Sequence, residues 1–104
     1  MNAVQNQVRE LVNVELAAAN EKFPQFHSPH EGWAVIMEEL EEAEEALRMM
    51  RLDTEIMWRN IRDNIECKVQ ANSAHEKAIK AACEVIQFAA MTQKYMDMET
   101  NHDD

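Results

Sequence analysis

At 104 residues the chain can hold one domain with a modest core, and its single Gly and two Pro leave almost no turn or strand chemistry. A formal net charge of −10 argues against nucleic-acid backbones and anionic membranes as partners, because both need a basic patch. Cys67 and Cys83 are too few and too widely spaced for a zinc site or a disulfide framework. With no signal-peptide pattern and no apolar run of about 18 residues, the expectation is a cytoplasmic protein with reduced thiols.

A first helix is expected from about Ala3 to Glu21, with Val4, Val8, Leu11 and Ala18 on one stripe. The next segment, KFPQFHSP, carries both prolines together with Phe23 and Phe26, so it should be a connection whose aromatics tuck against the core or line a pocket. Ser28-Pro29-His30-Glu31 then combines an N-cap, a proline at the first helical position and a glutamate at the third. At about 100° per residue, Trp33, Ile36, Met37, Leu40, Ala43, Leu47 and Met50 of this second helix form one apolar arc. Glu44 intrudes on that arc without an evident reason.

Asp53 or Thr54 can cap a third helix, with Met57, Trp58, Ile61, Ile65 and Val69 as its buried stripe. Ser73-Ala74-His75-Glu76 offers a second capping box, so a break is expected near Asn72, the alternative being one long rod. A fourth helix should run to about Met98, followed by a frayed acidic tail over residues 99–104. The expected fold is therefore all-α: one domain over residues 1–104, with four antiparallel helices.

Residues 81–91, AACEVIQFAAM, are apolar except at Glu84 and Gln87. A helix that is apolar all round expects burial, and a buried carboxylate needs a cation or a metal ion. Lys80, one turn earlier, can supply an ion pair or reach a substrate phosphate. The upstream helix offers a second kind of partner. Of its glutamates, Glu38, Glu41 and Glu45 fall opposite the core arc, whereas Glu39 and Glu42 share a flank with Val35 and Ala46. Glu39, Glu42 and Glu84 with the Gln87 amide oxygen would suit a hard divalent cation. Lys80 and Lys94 lie along the same side of the last helix as Glu84 and suit a triphosphate. At the start of the second helix His30 is a candidate anion contact and Trp33 a candidate base-stacking surface. Nucleophilic triads, Walker-type glycine loops and dinucleotide fingerprints are absent.

Glu38-Glu39-Leu40-Glu41-Glu42 followed by Glu84-Val85-Ile86-Gln87 resembles the EExxE and ExxD signature of the MazG-like all-α nucleoside triphosphate pyrophosphohydrolases. The resemblance covers roughly Phe26 to Tyr95 and points to a small, phage-type variant. It implies a helical core assembled as a homodimer or homotetramer, using Mg²⁺, or Mn²⁺ in its place, to convert a nucleoside triphosphate to monophosphate and pyrophosphate. Glu39, Glu42 and Glu84 would be metal ligands, with Gln87 in the aspartate position. Glu38 would position or activate water, and Lys80 or Lys94 would neutralise developing charge. Two departures stand out: the neutral Gln87, and a helix inserted around residues 54–70 that would shape a pocket or an interface. The alternatives are a noncatalytic metal- or nucleotide-binding relative and a helical adaptor that docks a protein on its Met-rich face.

Overall fold

Among the described residues three helices form where four were expected. The computed structural model describes residues 3–99, and in it α1 spans Gln5–Lys22, α2 Pro29–Arg62 and α3 Lys68–Met96, with no strand among the described residues. Beyond Glu99 the expected acidic tail lies outside the described residues. No helix among them is long and apolar enough to cross a membrane.

The expected breaks at Asp53 and Asn72 are both inside helices, so the inserted helix around residues 54–70 is instead the end of α2, a turn and the start of α3. The residues taken for caps are satisfied sideways. Ser73 Oγ donates to Asp53 Oδ2 at 2.7 Å, and Lys77 Nζ donates to the same Asp53 oxygen at 3.2 Å and to Ser73 Oγ at 2.7 Å. Thr54 Oγ1 donates back to the Met50 carbonyl at 2.8 Å. A side chain engaged in this way no longer competes for the backbone, and the helix continues.

The true stop is at Asn64, whose φ of 56° is left-handed. Its N–H bonds the Ile61 carbonyl at 3.1 Å while the Ile65 N–H bonds that of Asn60 at 2.8 Å, the paired closure of a Schellman motif. Glu66 then opens α3, its carboxylate accepting from the N–H groups of Cys67 at 2.8 Å and Lys68 at 2.9 Å.

The chain divides into two compact units. Unit 2, Leu40–Val85, is a helical hairpin. Its covered positions include a series at alternating steps of three and four, Ala43, Ala46, Met50, Asp53, Met57 and Asn60 on α2 and Gln70, Ala74, Lys77, Ala81 and Glu84 on α3, flanked by the half-covered Met49, Ile56, Ala71, Ser73 and Ala78. That 3.5-residue period belongs to coiled-coil pairing. The buried members, Ala43, Ala46 and Ala81, carry only a methyl group, so the helices can approach closely. Large side chains expected in the core, Leu40, Leu47, Trp58, Ile61, Ile65 and Val69, are exposed. The apolar arc rests on bulk, whereas the inward seam is mostly small and polar residues, with the expected Met50 and Met57 as its large members.

Unit 1 joins Met1–Glu39 with Ile86–Asp104. At the start of α2, Ser28 Oγ accepts the Glu31 N–H at 3.1 Å as expected of the N-cap, while Glu31 reaches back to the His27 N–H at 3.0 Å, not to that of Ser28. Lys94 is buried, at 3% exposure. Its ammonium donates to the Phe23 carbonyl and lies 5.0 Å from the centroid of the buried Phe26 ring. Gln25 Nε2 donates to the Lys94 carbonyl at 3.2 Å. A cavity of about 500 Å³ opens beside them, lined in part by Phe23, Phe26, His27 and Lys94. Gly32 fits because a Cβ there would sit 2.8 Å from the Tyr95 ring. Trp33 is exposed, contrary to expectation, and so are Val4, Val8, Leu11 and Ala18 of the stripe expected to pack α1, which covers Val12, Leu16 and Ala19 more deeply.

Candidate metal centre

Helical spacing brings Glu39 and Glu42 onto one side of α2, one turn apart, with Ala43 and Ala46 as the neighbouring buried positions. Because those alanines allow close approach, Glu84 on α3 reaches Glu42. Glu39, Glu42 and Glu84 each offer an oxygen, all within 4.8 Å of one another. Opposed oxygens around Mg²⁺ stand about 4.2 Å apart, and around a larger hard cation about 5 Å, so separations of up to 4.8 Å lie within the span of one coordination sphere of the larger kind.

The electrostatics of this cluster favour an added positive charge. Contact with the Glu84 carboxylate, then desolvation, raises the Glu42 pKa above its ordinary 4.5; Lys80 opposes this from a distance. Glu84 Oε2 is buried and has no hydrogen-bond partner. Among the described residues no ion pair joins Lys80 to Glu84, and Lys80 acts on Glu42 through its field. Glu45, by contrast, is held below the usual carboxylate range by Arg48, which donates through Nε at 3.0 Å and Nη2 at 2.7 Å.

Of the other sequence candidates, Gln87 is half-buried one turn beyond Glu84 on α3, and Glu38 is exposed about 100° around α2 from Glu39. Lys94 lies ten residues past Glu84, roughly 15 Å along the helix, and its ammonium is committed to Phe23 and Phe26. Lys94 is thus held within unit 1, while Lys80 is exposed on α3 with its field reaching Glu42. His30 and Trp33 line a shallow depression of about 230 Å³ with Pro29. The residues the sequence missed are Asp53, Ser73 and Lys77, which were taken as caps or passed over. Their Asp53–Ser73 separation equals twenty residues, a contact visible only once the hairpin turn is placed at Asn64.

Comparison with protein-family models, with curated proteins and with solved structures gives no match, so the likeness to MazG-like enzymes rests on the motif residues themselves.

Proposed function

We propose that the chain is a Mg²⁺-dependent nucleoside triphosphate pyrophosphohydrolase acting as a homo-oligomer. The observation that carries this reading is the convergence of Glu39, Glu42 and Glu84 from two sequence motifs, with the Glu42 pKa raised by Glu84. Two ionised carboxylates in contact repel one another, and a divalent cation turns that repulsion into coordination. The three glutamates would hold the ion, and the Gln87 amide oxygen is the nearest neutral donor in sequence. The chemistry such an ion supplies is polarisation of phosphoryl oxygens and a lowered pKa for bound water.

The chain's own residues have separate tasks. Glu38, exposed beside the cluster, accepts the proton of the attacking water. Lys80, whose field already reaches Glu42 and Glu45, offsets negative charge on the departing pyrophosphate. One P–O–P bond between the α and β phosphates breaks, the new P–O bond carries the water oxygen, and the bridging oxygen leaves with pyrophosphate.

The test is pyrophosphate release across canonical and modified nucleoside triphosphates with Mg²⁺ or Mn²⁺. Turnover that is lost in Glu39→Gln and Glu84→Gln variants of unchanged helicity supports the proposal; absence of turnover with every nucleotide overturns it. Stabilisation by Mg²⁺ or nucleotide without hydrolysis would instead identify a noncatalytic relative, the reading favoured by the neutral Gln87.

A further inference from the structure

Within unit 2, α2 carries a second seam facing away from α3. Leu40, Glu44, Leu47, Arg51, Thr54, Trp58 and Ile61 recur at alternating steps of four and three, and every one of them is exposed, Leu47 at 50% and Trp58 at 60%. An open groove of about 660 Å³ runs along this face, and its lining, including Glu44, Leu47, Arg51 and Thr54, comes from α2 alone. A groove made by one helix is a surface shaped for another helix. Glu44, an anomaly when this arc is taken as the core, belongs to the outward seam.

The charges beside the seam decide what fits. Glu41, Arg48, Glu55 and Arg62 follow one another at seven-residue intervals along one edge. A parallel copy of α2 would set Glu44 against Glu44 and Arg51 against Arg51. An antiparallel copy centred near Leu52 sets Arg48 against the partner's Glu55 and Glu41 against the partner's Arg62, each pair occurring twice by symmetry. The same register stacks Leu47 on the partner's Trp58, which covers the most exposed bulky side chain of the seam. In the single chain Arg48 bonds Glu45 and Arg51 lies 3.9 Å from Glu55, both exposed pairs that exchange at little cost.

We infer that this face of α2 docks a second copy of the chain in antiparallel register, Leu47 against Trp58. The inference gives the proposed homo-oligomer its interface; it stands on the exposed seam and its charge order, and dimerisation and hydrolysis fail separately, since none of the residues named belongs to the acidic cluster.

In a Cys67→Ser, Cys83→Ser background, oxidation of a mixture of Leu47→Cys and Trp58→Cys chains should give mainly the mixed disulfide dimer. Each variant alone should crosslink poorly, because residue 47 of one copy lies about 16 Å from residue 47 of the other in this register. Self-crosslinking of both single variants would mean parallel pairing and overturn the inference. Sedimentation equilibrium provides a second measurement that needs no cysteine. Arg48→Glu should weaken dimerisation at least ~10-fold and Arg48→Glu with Glu55→Arg should restore it. A chain that stays monomeric, or a dimer indifferent to Arg48→Glu, refutes the inference.

Discussion

The hairpin of unit 2 carries two polar clusters eleven residues apart on each helix, and they are resolved in opposite ways. At Asp53 the carboxylate receives a hydroxyl from Ser73 and an ammonium from Lys77, so charge and hydrogen bonds close within the chain. At Glu42 the group acting most strongly from across the hairpin is another carboxylate, Glu84, one oxygen of which is buried without a hydrogen-bond partner. A polar cluster that satisfies itself fixes the register of two helices; one that repels itself is the candidate for an ion from outside. Proximity of charged groups is common to both, and only the balance of donors and acceptors separates a structural clamp from a candidate binding site.

The sharpest way to break this comparison is Glu84→Gln. Under the proposed hydrolysis the substitution should lower pyrophosphate release at least ~100-fold in steady-state assays, since it removes a proposed anionic ligand and leaves the fold in place. If activity persists, the two clusters are alike and the acidic one is merely structural. A smaller effect is expected of Asp53→Ala, which strands Lys77 and should lower the melting temperature by roughly 5 °C with no requirement for metal. The same measurement on Glu84→Gln in chelator should show the reverse sign, an increase of about 3 °C, because repulsion with Glu42 is relieved.

The gentlest test uses pH. The Asp53 pKa is lowered, chiefly by Ser73 and then by Lys77, so its contribution to stability is present above its ordinary 3.8 and disappears as pH falls through the lowered value. The Glu42 pKa is raised by Glu84. Its contribution is full below the ordinary 4.5 and is lost as pH rises through the raised value. Metal-free melting curves of Asp53→Asn should therefore lose the acid-side decline, and those of Glu42→Gln the decline on the other side. Identical profiles for both variants would remove the distinction.

Much of the site was legible because its parts are local. The i, i+3 spacing of Glu39 and Glu42 fixes their common flank, and the apolar surroundings of Glu84 mark it as covered; the structure brings these three together. The helix count was harder to read. Asp53, Thr54 and Ser73 have the chemistry of caps; contacts at least twenty residues distant in sequence show that Asp53 and Ser73 serve as interior residues, and Thr54 bonds back to the carbonyl one turn earlier. The stop at Asn64 left a fainter trace, one asparagine before Ile65. The inward seam was missed for a physical reason: alanine contributes little to an apolar arc, yet it lets two helices come close enough to half-cover Glu84 and Asp53 between them.

The turn at Asn64 also has a consequence for the order of folding. Closing a hairpin from its turn costs least where the intervening loop is short, and the Asp53–Ser73 bond encloses far less chain than the Glu42–Glu84 contact. The clamp should form early and set the pairing, with the acidic residues meeting last. Asp53→Ala should then slow refolding, whereas Glu84→Gln should mainly slow unfolding, and stopped-flow kinetics on the two variants will show whether the hairpin zips in that direction.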